Sequence, residues 1–187
     1  MRCPSRAWDC RCVAYSVFAD ENRAGGFRFA AVSIANSDIS EARAAMRHEL
    51  PPGTRRLHFV KENDRNRRRA LGAIERIAFR AVIIEAPDAL PPTGQRARAL
   101  IALVHWAVAT GATRVVLERD ENRITADRRV VGVTLAELSP LREVAYLHSP
   151  PTTEPLLWIP DAIAWCWMRG GTWRKRVEAM GVTRIDA

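Results

Sequence analysis

The chain has 187 residues, room for one medium-sized domain, and 48% of them are hydrophobic, so a sizeable core can form. Its 29 basic residues outnumber 21 acidic ones for a net charge of +8, and all but Lys61 and Lys175 of the basic set are arginine. No run of about 18 uncharged apolar residues and no signal-peptide-like apolar segment occurs, which excludes a helical membrane span and makes a cytoplasmic protein the expectation.

The arginine excess has two readings. Guanidinium matches phosphate bidentately, so the composition favours a polyanionic partner, nucleic acid above all. An arginine- and alanine-rich composition of the kind GC-rich genomes encode explains the preference for arginine over lysine equally well, but it explains the net charge less well.

Residues 1–12 read as a flexible tail. Cys3, Cys10 and Cys12 cluster there without the paired Cys-x-x-Cys spacing of a structural zinc site and with no histidine at ligand distance. A single domain is expected over 13–187. It opens with an apolar strand at 13–20, a Gly-containing turn and a second strand at 27–35, the pattern of an antiparallel hairpin. Ser37 or Asp38 then caps a helix that runs to about His48 and is stopped by Pro51-Pro52-Gly53.

A short strand from Arg55 to Val60 is predicted next. It is followed by a helix over 62–79 with an apolar stripe and the basic flank Arg65, Arg67, Arg68 and Arg69. Strand 80–86, helix 95–110 closed by Gly111, strand 113–119, helix 121–137 and strand 142–147 continue the alternation, and apolar helices end the chain. Antiparallel first strands followed by alternating strands and helices describe an α/β domain with a mixed sheet flanked by helices, the order of an RNase H-like fold. A Rossmann-like sheet is the rival, lowered by the absence of Gly-x-Gly-x-x-Gly after the first strand.

Carboxylates in apolar settings carry the functional signal. Asp161 lies inside the apolar run 156–168, where an unpartnered charge is costly. Asp20 ends the first strand, and Glu118 with Asp120 ends a later one. Each has a structural alternative. Asp20 suits the start of a turn, Asp120 the capping of the next helix, and Asp161 the first turn of a helix begun by Pro160. Asp127, farther along its helix, reads as a solvated charge.

Three segments resemble the bacterial proteins grouped as domain of unknown function 3800. Phe18-Ala19-Asp20-Glu21-Asn22 resembles that family's Asp-Glu-Ser opening. Leu57-His58-Phe59 before the Arg-rich helix resembles its Glu-Leu-His-Phe segment, and Leu157 to Ala164 resembles its closing helix. The resemblance spans about 13–169 and implies an RNase H-like fold, a carboxylate site and a nuclease or mobile-element role. Arg56 stands where that family usually has Glu, and Asn22 replaces its Ser.

Phosphodiester hydrolysis needs an activated water and a stabilised leaving oxygen, which divalent ions supply. Mg²⁺ or Mn²⁺ takes oxygen ligands, so Asp20, Glu118 or Asp120, and Asp161 are the candidate metal set. His58 is a candidate general base or phosphate ligand, with a structural role as its alternative. Arg65, Arg68 and Arg69 are the candidate phosphate contacts. Trp165, Trp167 and Trp173 are expected mainly in the core. The functional expectation is a divalent-metal-dependent nuclease, with a catalytically degenerate nucleic-acid-binding or protein-interaction domain as the alternative.

Overall fold

The computed structural model describes residues 13–23, 26–138 and 144–187. The expected tail over 1–12, with its three cysteines, lies outside them. Six strands form one sheet in the order β5-β4-β1-β2-β3-β6. β1 (Tyr15–Asn22), β2 (Arg28–Ala35) and β3 (Arg80–Glu85) pair antiparallel, while β4 (Ala112–Glu118) and β5 (Ala145–Ser149) run parallel to β1 in turn. Antiparallel β1-β2-β3 with β4 and β5 added on the other side of β1 is the RNase H-like arrangement that the element order predicted.

Side chains alternate across the sheet, and both faces are covered. Phe18, Val32, Ile83 and Val116 point to one layer, packed under α1 (Ile39–His48), α2 (Asp64–Ile74), α5 (Trp158–Arg169) and α6 (Gly171–Ala179). Val17, Ala31, Val82 and Leu117 point to the other, under α3 (Pro92–Ala109) and α4 (Ile124–Leu138). A strand buried on both faces reads as a continuous apolar run, which is why Val17 to Ala19 shows no alternation in sequence. Full burial of side chains such as Leu71 and Leu103, both 0% exposed, contributes about 1.5–3 kcal/mol each.

Helix ends follow local chemistry. Pro92 opens α3, and Gly111, with φ +78°, follows its last turn in the left-handed conformation that glycine adopts without steric cost. Gly170, with φ +72°, breaks the path between α5 and α6. Asp38 precedes α1 but makes no side-chain cap bond. Asn63 caps α2 instead, accepting from the Asn66 N–H at 2.9 Å.

Several elements differ from expectation, among them α2, which ends at Ile74. The predicted strand 55–60 is an irregular crossing that ends in a 3-10 turn, Phe59–Lys61. Leu57 and Phe59 are buried on either side of a half-buried His58, so the segment imitates strand alternation while packing into the α1–α2–α5–α6 layer. The sheet edge beside β3 is taken by β6 (Thr183–Asp186), a strand the sequence pattern did not reveal. The strand expected over 142–147 runs from Ala145, with 139–143 outside the described residues.

Candidate functional site

Strand register puts two acids side by side. β1 and β4 are parallel neighbours, paired up to Ala19 with Leu117. Asp20 and Glu118 are the next residue on each strand. By alternation both leave the sheet on the side of Phe18 and Val116, the side that α5 covers. Glu21 goes the other way, to the α3 face.

α5 brings the third acid. The helix begins at Trp158, two residues before Pro160, so Asp161 stands in its first turn. The approach to α5 is fixed by three contacts. The Trp158 Nε1–H donates to the Pro151 carbonyl at 2.7 Å. Arg43 grips Glu154 with two guanidinium nitrogens, and Glu154 in turn accepts from the Leu156 N–H at 3.2 Å. Asp161 Oδ2 accepts the Phe59 N–H at 2.8 Å, which ties the 3-10 turn to the helix.

Asp20, Glu118 and Asp161 line one cleft of about 670 Å³, together with Arg56, His58 and Trp165. Burial, then the neighbouring Glu118 and Asp161 charges, hold the Asp20 carboxyl well above its ordinary value of 3.8. Burial raises Asp161 as well, against the opposing pull of the Phe59 N–H and the nearby His58 and Arg56. Arg56 Nη1 lies 3.1 Å from Glu118 Oε1.

Asp120 is drawn elsewhere. β4 ends at Glu118, two residues short of Asp120, so the period-2 rule that grouped the two acids does not reach Asp120. Asp120 accepts from the Asn122 N–H at 3.1 Å and pairs with Arg123 at 2.8 Å, holding the turn before α4 although it borders the cleft. Glu118 is therefore the acid that joins Asp20.

His58 lines the cleft with its Nδ1 buried and unpartnered. The three expected phosphate contacts on α2 are all exposed; Arg68 lies 3.9 Å from Asp64 and over the Trp173 ring at 5.5 Å, and Arg69 is committed to Glu49, reaching its carboxylate and its carbonyl, both at 2.7 Å. Glu49 is buried, so Arg69 compensates a core charge. Their neighbour Arg67 clamps the Phe59 and Val60 carbonyls at 2.9 and 3.1 Å and stacks over Trp165 at 4.2 Å. Trp165 borders the cleft while packing edge-on to Phe59 and Trp173; Trp167 is in the core as expected.

Asp127 corrects its expectation. It is 1% exposed and accepts two bonds from the buried Arg96, at 2.8 and 2.7 Å, with His148 Nε2 at 3.3 Å. Burial opposes its ionisation, but the Arg96 and His148 bonds outweigh that and hold its pKa at about 2. Arg96 also contacts Glu21. The packing of α3 and α4 against each other and against β1 and β5 brings these residues together, and nothing local in the sequence signals it.

The donor chemistry of the trio, three carboxylates from three elements, suits a hard divalent cation. Their pose does not make such a site: among the described residues no group of three His, Cys, Asp or Glu side chains is arranged to hold a metal ion as they stand; Glu118 pairs with Arg56, and Asp161 accepts from Phe59. Also among the described residues, no helix is long and apolar enough to cross a membrane.

No family model matches the chain, and no curated protein matches it. Among solved structures, a chain in the PCNA:RNase HII complex from Archaeoglobus fulgidus aligns with 80% of this chain and 69% of its own length, at 14% identity and a TM-score of 0.49.

Proposed function

We propose that the chain is a divalent-metal-dependent phosphodiesterase acting on nucleic acid, a cytoplasmic protein and a divergent member of domain of unknown function 3800. The observation that carries this reading is the convergence of Asp20, Glu118 and Asp161 on one cleft wall, with the proton affinity of Asp20 and Asp161 raised. Carboxylates that repel one another in a partly dry cleft are a cost to the fold unless a cation offsets it.

Asp20, Glu118 and Asp161 would hold Mg²⁺ or Mn²⁺. Such an ion supplies charge for the developing oxyanion and lowers the pKa of water. Asp161 is oriented by the Phe59 N–H and Asp20 by the Glu21 N–H at 2.8 Å, so neither depends on the ion for its pose. His58, unpartnered at Nδ1, is the group to take up or return a proton. Arg65 and Arg68 on α2 present charge to the phosphate backbone.

The Arg56–Glu118 ion pair favours a second reading, a binding domain of the same fold that has given up its cation. Cleavage assays on single- and double-stranded DNA and RNA in Mg²⁺ and Mn²⁺, with Asp20→Asn as control, decide between them. Metal-dependent cleavage lost in the variant supports the enzyme. Salt-sensitive binding with no cleavage above the variant's level supports the binding domain.

A further inference from the structure

Among the described residues, the charge of Arg56 acts on all three acids of the cluster. Arg56 contacts Glu118 directly and stabilises the ionised forms of Asp20 and Asp161. Its hold is nevertheless slight. One guanidinium nitrogen meets one carboxylate oxygen at 3.1 Å, and no other hydrogen bond to Arg56 is formed among the described residues. Arg96 on Asp127 and Arg176 on Glu75 each use two nitrogens on two oxygens.

Both partners are also accessible, with side chains 31% and 29% exposed at the cleft. Arg56 comes from the irregular crossing before the 3-10 turn, so no helix or strand hydrogen bond fixes its backbone in one register. A guanidinium of this kind matches phosphate as well as carboxylate.

We propose that Arg56 is an exchangeable counter-cation, which holds Glu118 in the free protein and passes to a phosphate of the bound strand, releasing Glu118 to a divalent cation. The inference rests on the metal-dependent reading above and adds to it a rule of assembly. Phosphate and metal then bind with positive coupling, and by linkage each strengthens the other by the same factor. The free protein, with Glu118 occupied, is a poor metal binder. That accounts for an acid trio of suitable chemistry whose pose does not make a metal site.

The test is Mn²⁺ titration by calorimetry on the full chain, with and without a short nuclease-resistant phosphorothioate oligonucleotide. Wild type should bind Mn²⁺ weakly alone and roughly 5–150-fold more tightly with the oligonucleotide, the usual range of such coupling. Arg56→Gln should bind Mn²⁺ more tightly than wild type without the oligonucleotide and show little further gain with it. Arg56→Lys keeps the charge and should bind Mn²⁺ as weakly as wild type.

Equal Mn²⁺ affinity in wild type and Arg56→Gln overturns the role of Arg56 and leaves the metal site standing. Tight binding by Arg56→Lys, equal to that of the glutamine variant, overturns it too. If none of the three binds Mn²⁺ with or without the oligonucleotide, the metal site falls and this inference falls with it.

Discussion

Asp161 accepts the Phe59 N–H at 2.8 Å, so a first-turn helix acid satisfies the backbone of a turn 102 residues away instead of its own helix end. Asn in its place keeps an acceptor oxygen and removes the charge. Asp161→Asn should therefore change stability by no more than about 1 kcal/mol, the scale of one hydrogen bond. Metal-dependent cleavage should fall by orders of magnitude. Denaturant melts beside nuclease assays check both halves; a variant as active as wild type would remove Asp161 from the ligand set.

Asp20 predicts a pH dependence. Its folded pKa is raised above 3.8, so the folded state binds a proton more tightly than the unfolded one. Metal-free protein should lose stability as pH rises from about 3.8 through the raised folded value. Asp20→Asn should flatten that decline and add stability near pH 7, whereas added Mn²⁺ should stabilise wild type more than the variant. Thermal melts from pH 4 to 7.5, with and without Mn²⁺, measure this. A wild-type curve parallel to the variant's contradicts the raised pKa.

The Arg96–Asp127 pair should act in the opposite direction. With its pKa held at about 2, Asp127 contributes stability that is present above 3.8 and lost as pH falls toward 2. Asp127→Asn leaves the buried Arg96 with Glu21 as its remaining counter-charge, at a cost below the about 3–5 kcal/mol of a wholly unpaired buried charge. Urea denaturation near neutral pH reads the loss directly; a cost under about 1 kcal/mol would show that Glu21 suffices to compensate Arg96.

The arginines of α2 should separate into two kinds. Replacing Arg65 and Arg68 by Gln should reduce the slope of log binding constant against log salt by up to about 0.9 per lost phosphate contact on duplex DNA. Arg69→Gln should leave that slope unchanged and destabilise the fold by about 1 kcal/mol or more, because Glu49 stays buried without its partner. Fluorescence anisotropy across a salt series and melts of the same variants make the comparison. A slope that drops for Arg69→Gln as well would place that residue on the strand.

By itself the sequence determined the order of most elements along the chain and the acids worth watching. Apolar runs between Gly and Pro breaks mark β1 to β4 and their helices, and an Asp within 156–168 stands out against its neighbours because charge is expensive there. Local pattern also misled where burial imitates strand alternation, at Leu57 and Phe59, and it passed over β6, a short strand with only Ile185 half-buried at the sheet's edge. What the sequence left open between Glu118 and Asp120, the tertiary structure decided, because β4 ends one residue after Leu117 and the side-chain alternation ends with it. The Arg56–Glu118 contact spans 62 residues and the Arg96–Asp127 pair 31. Ion pairs at such separations depend on helix-on-sheet packing, which no local periodicity encodes, and so the residues that set the electrostatics of the cleft became visible only in the fold.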